Sequence, residues 1–399
     1  MPAMLRFLSL LLHAYVGWRI VPALGAPWAS WTFAVLLAAS ALSLPFGFQA
    51  RRADTAPRID RLLGWSGLVA MGLFSSLFVL TALRDGALAV QGLIAWLSPD
   101  ALSASAFPLV SARAVPIVAL LVTVWGFFNA RRTAAVVRVD VPIENLPPPL
   151  EGFRIVQISD VHVGPTIKRP YVEAIVAAVN ALDADMVAVT GDLVDGSVGE
   201  LAEHVAPLAG LRSREGSYFV TGNHEYYSGA AAWVSELRRL GLTVLMNEHV
   251  VLRRGDAAIV VAGVTDFNAG HFDRAGASDP RQALAGSPPA SLRLLLAHQP
   301  RSAEAAEAAG FDLQLSGHTH GGQFLPWNLL VRLQQPFTAG LKRWRRMWVY
   351  TSRGTGYWGP PKRFGAPSEI TLLRLVPARP AAPARSHQAP RAAPAPSGV

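Results

Sequence analysis

The first third of the chain carries four apolar stretches, at about residues 7–24, 31–50, 64–83 and 114–130, with no polar stripe along any of them. Each is about long enough to cross the ~30 Å hydrocarbon layer as a helix. The first contains His13 and Arg19 and has the length of a signal-peptide core, but three further spans follow it, so it reads as a retained helix. Past residue 140 the pattern changes. Short apolar runs at 153–159, 186–190, 218–221, 292–297 and 313–316 read as buried strands, and 171–182, 201–211, 230–240 and 302–309 read as helices. Further strands are expected at 250–253 and 258–262, joined by a turn at Gly255 and Asp256, and at 348–352 and 370–375. The alternation predicts an α/β sandwich.

Three regions follow. Residues 1–140 form a membrane region, and Pro142, Pro147, Pro148 and Pro149 mark a joint near residue 145. Residues 150–376 form a globular domain. Residues 377–399, almost entirely Ala, Pro, Arg and Ser, are too poor in apolar side chains to order and are expected to be disordered.

Charge changes the picture only once it is divided by region. Of a net charge of +9, residues 1–140 supply 11 Arg against 5 Asp, while 141–376 balances at 22 basic and 22 acidic residues. The surplus therefore flanks the spans, and no nucleic-acid partner is expected of an electrically neutral domain. Arg51, Arg52, Arg58 and Arg61 lie between spans two and three, and Arg131, Arg132 and Arg138 follow span four. Four crossings put these on one face, so the positive-inside rule places both termini and the domain in the cytoplasm, in a multi-pass protein of the inner (cytoplasmic) membrane. With no cysteine, disulfides and thiolate metal sites are excluded.

The candidate chemistry lies where predicted strands end. Five of them run into Asp160-Val161-His162, Gly191-Asp192, Gly222-Asn223-His224-Glu225, His298 and Gly317-His318-Thr319-His320-Gly321-Gly322. Open α/β sheets bind ligands beyond the carboxyl ends of their strands, so five such clusters converge on one crevice. Carboxylate, imidazole and amide donors without thiolate suit Mn, Fe or Zn, with Mn favoured, and a pair of ions would need a shared carboxylate. Singly each residue has a bland explanation: an Asp after a strand is often a cap, and a lone His is more often a hydrogen-bonded core residue than a ligand. Five clusters in order leave little room for that.

The ordered set Asp-x-His, Gly-Asp-x-x-Asp, Gly-Asn-His-Glu and Gly-His-Thr-His resembles the calcineurin-like metallophosphoesterases over about residues 150–376, and Leu315 to Gln323 with the later Ser352-Arg-Gly-Thr-Gly is similar to their bacterial, membrane-associated branch. The resemblance implies mixed sheets flanked by helices, and two divalent metal ions. It also implies that Asp160, His162 and His320 hold the first metal, that Asn223, His298 and His318 hold the second, and that Asp192 bridges them. A metal-bridging hydroxide would then hydrolyse a phosphodiester, pyrophosphate or phosphomonoester. His224 is the implied proton donor or stabiliser at the leaving oxygen, Glu225 is expected to orient its ring, and Asp195 to support the ligands from behind.

Beyond the last motif come Phe324-Leu325-Pro326-Trp327-Asn328-Leu329-Leu330 and then Lys342, Arg343, Trp344, Arg345 and Arg346. Apolar and basic side chains together suit a membrane interface, so Trp327, Leu330, Arg345 and Arg346 are expected to lie against the bilayer near the site, with a phospholipid or lipid-linked nucleotide as substrate. An ordinary loop covering the core is the alternative reading of this segment. No protein partner is inferred. Among other function classes, a membrane-bound sensor that binds a phosphorylated ligand without turnover would use the same clusters, whereas the spans hold few ionisable residues to mark a transport path.

Overall fold

The computed structural model describes residues 3–49, 58–98 and 106–378. Arg51, Arg52 and the tail from residue 379 lie outside the described residues. Four helices come first: α1 (Ala3–Ile20), α2 (Pro27–Gln49), α3 (Arg58–Leu97) and α4 (Phe107–Arg131), all long and apolar enough to cross a membrane. The third differs from expectation. Arg84 and Asp85 do not end it, and neither Gly86 nor Gly92 breaks an otherwise Ala/Leu/Val-rich run, so α3 continues for 40 residues, about 60 Å at 1.5 Å per residue.

Val16, Ile20, Leu44, Phe74, Leu77 and Val115 pack between the four helices. At Gly47 and Gly67, α2 and α3 meet backbone to backbone, where any Cβ would overlap the opposite chain. Asp85 fixes one end of the bundle, accepting from Arg19 Nε and from the Tyr15 hydroxyl at 2.8 Å each. At that level Arg84 Nη2 donates to Pro108 O at 3.0 Å and Arg113 Nε to Leu24 O at 3.2 Å. Toward the other end the Arg131 guanidinium lies 5.6 Å over the Trp65 ring.

The remainder is two stacked six-stranded sheets. In order across the first are β1 (Ala135–Ile143), β12 (Glu369–Pro377), β2 (Arg154–Ile158), β3 (Met186–Val189), β4 (Ser217–Phe219) and β5 (Thr243–Val244). The second runs β10 (Gly340–Trp344), β11 (Met347–Thr351), β9 (Leu313–Ser316), β8 (Leu292–Leu296), β7 (Ala257–Gly263) and β6 (Glu248–Arg254). Both are mixed: β2 to β5 and β7 to β9 run parallel, with antiparallel partners at β12 and β6. Alternation along each strand sorts the two cores. Ile155 joins Leu294, Leu315 and Leu373 between the sheets, while its neighbour Val156 faces outward with Val187, Phe219 and Trp233.

Helices α5 (Arg169–Asn180), α6 (Val198–Val205), α7 (Asn223–Ser228) and α8 (Ala230–Arg239) follow the strands of the first sheet. Helices α9 (Pro280–Leu284) and α10 (Ala303–Ala309) pack through Ala283, Ala303 and Ala306 on the second, and the single turn α11 (Trp327–Leu330) lies beyond β9. Strands β1, β5 and β10 are absent from the sequence reading. The first sheet already begins at Ala135, ahead of the proline joint, because β1 pairs with β12 from the far end of the sheet region.

The sheets are joined to the bundle at one end. Arg363 N donates to Gly126 O of α4 at 2.8 Å, Lys362 Nζ to Gly72 O of α3 at 2.7 Å, and Arg131 Nη1 to Thr166 O at 2.6 Å. This is the end at which β2, β3, β4, β8 and β9 finish.

Candidate metal centre

Those five strands deliver the predicted donors into one pocket. Asp160, His162 and His320 hold their ligand atoms within 4.8 Å of one another, and so do Asp192, His298 and His318. Asp192 Oδ2 stands between the sets, 3.1 Å from His298 Nε2 and 3.9 Å from His162 Nε2. His162 Nε2 faces His320 Nε2 at 3.0 Å, and His298 Nε2 faces His318 Nδ1 at 3.2 Å. Pairs of ring nitrogens so close either share a proton or aim lone pairs at a common cation. Asn223 lies beside the cluster, since His224 N donates to Asp192 Oδ1 at 2.9 Å.

The local backbone is strained to make this arrangement. Asp160, His162, Asp192, His318 and His320 all have φ between 51° and 70°, the left-handed region that side chains disfavour. Such angles turn each side chain back over the end of its strand. Two glycines make room: a Cβ on Gly222 would overlap Asp192 Oδ1, and one on Gly317 would overlap Asp160 Oδ2.

The donor set fits divalent cations on three observations. It is all oxygen and imidazole nitrogen. Asn223 Oδ1 is buried without a hydrogen-bond partner, an orphan acceptor of the kind a cation satisfies. Burial, and then the neighbouring His298, push His318 down to about 3, while burial and then Arg363 hold His320 well below the usual histidine range. Both shifts favour the neutral ring a metal ligand needs, whereas at His298 burial is outweighed by Asp192, which favours the charged ring. Among the protein's own charges, burial pushes the Asp160 carboxyl up, whereas Asp192, despite burial, is held well down by His298.

Asp195 and Glu225 divide their work differently from expectation. Asp195 Oδ1 meets both His162 Nδ1, at 3.3 Å, and His224 Nδ1, so it is Asp195 that orients the His224 ring. Burial opposes its charge, but the two imidazoles hold its carboxyl far below the normal range. Glu225, at the third position of α7, folds back onto the backbone instead. It accepts from Gly222 N at 2.6 Å, Leu193 N at 2.7 Å and Asp192 N at 3.0 Å, locking two ligand loops together. Burial, and then the Asp192 charge, push it up to about 7. His224, fixed at Nδ1, turns Nε2 toward Asp192 Oδ2 at 4.0 Å; burial works against its protonation, and Asp192 and Asp195 outweigh it, raising its pKa.

One supporting residue has no signal in the motif spacing. Arg363 is fully buried, donates to His320 O at 2.8 Å and to Arg353 O at 2.7 Å, and faces His320 Nδ1 at 3.0 Å. It fixes the ring whose Nε2 points into the site.

The basic hairpin is a correction. Arg345 and Arg346 form the turn between β10 and β11, and β11 enters the sheet at Trp348 beside Leu313, the start of β9. The ligands follow the end of β9, so the turn lies at the opposite end of the sheet, with Arg345 paired to Glu307 at 3.1 Å. Trp327 and Leu330 lie on the bundle side, where Trp327 Nε1 donates to Ser75 Oγ of α3 at 2.9 Å. Aromatic rings surround the mouth, with Tyr227 and Trp358 at 5.4 and 5.7 Å from the His224 ring.

Residues 153–322 match the model of the Calcineurin-like phosphoesterase family. A bovine "Transmembrane protein with metallophosphoesterase domain" is 43% identical over 276 residues, which cover 65% of this chain and 62% of that protein. An "Uncharacterized metallophosphoesterase" of Helicobacter pylori is 39% identical over 262 residues, 65% of this chain and 69% of that one. Another of that name from Aquifex aeolicus is 32% identical, covering 59% of this chain and 89% of its own. The chain spans about three fifths of the length of the bovine and zebrafish proteins, at 62% and 61%. Five strand ends that deliver this donor set, inside a segment with these relatives, place the chain in the calcineurin-like metallophosphoesterase family.

Proposed function

We propose that the chain is a membrane-anchored, dinuclear metal-dependent phosphoesterase. Asp160, His162 and His320 would hold one divalent cation and Asn223, His298 and His318 the other, with Asp192 available to both. The observation that carries this reading is the position of Asp192 Oδ2 between the two ligand sets. A pair of such cations, Mn favoured, would supply Lewis-acid charge and an activated water for attack on phosphorus. The protein's own groups do the rest. Asp195 holds the His224 ring through Nδ1, leaving Nε2 to give a proton to the departing oxygen. Glu225 keeps the loops carrying Asp192 and Asn223 in register. The membrane region ends with α4 at Arg131, ahead of β1, and the four helices and the relatives named transmembrane support membrane association.

Purified protein with Mn²⁺ should cleave bis-p-nitrophenyl phosphate, and Asp192→Asn should lower kcat roughly a hundredfold or more. His224→Ala should cost about 10²-fold or more on an alkyl diester but far less on a p-nitrophenyl ester, whose leaving group needs no proton. No cleavage by protein shown to contain metal would instead support a sensor that binds a phosphorylated ligand.

A further inference from the structure

A cleft of about 520 Å³, measured out to its open mouth, runs between the bundle and the metal centre. Gly47 of α2 with Leu68 and Met71 of α3 form one wall, Trp358 and Pro360 the other, and His162 and Asp195 the floor. The cleft is narrow within and open to solvent at its mouth. Polarity is ordered along it, apolar on the side of the helices and ionisable only beside the proposed cations.

The position of the cleft along the bundle adds a second argument. From Trp65, level with Arg131, to Asp85 at the other end of the bundle is about 30 Å along α3, the thickness of the hydrocarbon layer. Leu68 and Met71 fall inside that interval, and so does Ser75, where Trp327 is bonded. Around Trp327 the neighbouring Leu329 and Leu333 are 68% and 81% exposed, an apolar rim with no protein cover at the depth where lipid would supply it.

We infer that this cleft takes the alkyl chain of an amphiphilic phosphate ester that enters sideways from the bilayer, bringing its phosphate to His162 and Asp192. The inference rests on the phosphoesterase reading for its chemistry but not for its geometry. Hydrolysis adds water across one P–O bond, leaving the alkyl chain on the phosphate or on the released alcohol.

The Mn²⁺-loaded full chain in detergent micelles is assayed on methyl and hexadecyl p-nitrophenyl phosphate. The hexadecyl ester should have a kcat/KM at least tenfold higher, mainly through KM, and in Met71→Trp that ratio should fall toward one. A wild-type ratio near one, or a ratio retained in Met71→Trp, would overturn the inference. A second readout does not need turnover. Because the chain has no cysteine, Met71→Cys is a single thiol, and hexadecyl phosphonate should shield it from a maleimide while leaving Ala232→Cys, on the exposed face of α8, reactive. Unshielded Met71→Cys sinks the cleft even if esters are cleaved, whereas shielding without any cleavage supports the cleft and removes the hydrolase.

Discussion

Arg363 shows how a residue with no contact to substrate governs the centre. Its guanidinium spans from the Arg353 and Gly356 carbonyls to the ring and backbone of His320, so it sets the direction of one proposed ligand and helps keep that ring neutral. Outer partners of metal-bound histidines typically contribute about 10- to 100-fold in affinity. Arg363→Gln should therefore weaken metal binding by about that much in a calorimetric titration with Mn²⁺, with His162 and its partners still in place. Unchanged affinity would mean that packing alone orients His320. The donors themselves were legible in the sequence because each follows closely on a strand, and Asp192, Asn223, His318 and His320 also stand beside a glycine that marks the turn. Arg363 was not, because its partner lies 43 residues away and nothing in a run of Gly, Pro and basic residues announces a buried cation. The Glu225 reading failed for a related reason: sequence adjacency to His224 suggested a ring contact, but the third position of a helix directs its carboxylate back to the cap.

At the scale of elements, the loop from Tyr357 to Arg363 ties bundle to sheets, alongside the Arg131 and Trp327 bonds. Lys362 is buried, with Nζ on Gly72 O, and burial alone lowers its pKa from 10.5 to about 8. Below about pH 8 the ammonium is retained at a cost in the folded protein, and between about 8 and 10.5 the unfolded chain binds more protons than the folded one. Stability should therefore rise with pH across that window. The midpoint of heat inactivation is expected to climb from pH 8 to 10 in the wild type and to stay flat in Lys362→Met; equal slopes would place the titration elsewhere. Elements were legible in proportion to how local their signal is. The apolar spans and the parallel strands of the core announce themselves over a few residues. Strand β1 alternates Val with Arg138 and Asp140, a strand pattern, but those charges read equally well as the flank of a span until Glu369 supplies the partner for Ala135. β5 is two residues long and β10 carries a basic, half-exposed sequence, so neither has a periodicity to detect.

For the whole molecule the arginine distribution bears on sidedness. Arg58, Arg61, Arg131 and Arg132 lie at the end that bears the sheets, and at the other end Arg19 and Arg84 share Asp85 while Arg113 bonds a carbonyl. Under the positive-inside rule that imbalance would put the end bearing the sheets in the cytoplasm, an orientation proposed here for test. Inside-out vesicles from an expressing bacterium should hydrolyse a membrane-impermeant p-nitrophenyl ester and right-side-out vesicles should not, and the reverse result would invert the topology. The close approach of Gly47 to Gly67 carries this to the level of selectivity. With two helix backbones in direct touch, the backbone of that wall has no slack, so any widening must come from the Trp358 side or from the Leu68 and Met71 side chains. A gap bounded by one stiff face and one adjustable face sorts guests by girth before length, which favours single-tailed amphiphiles over two-tailed ones.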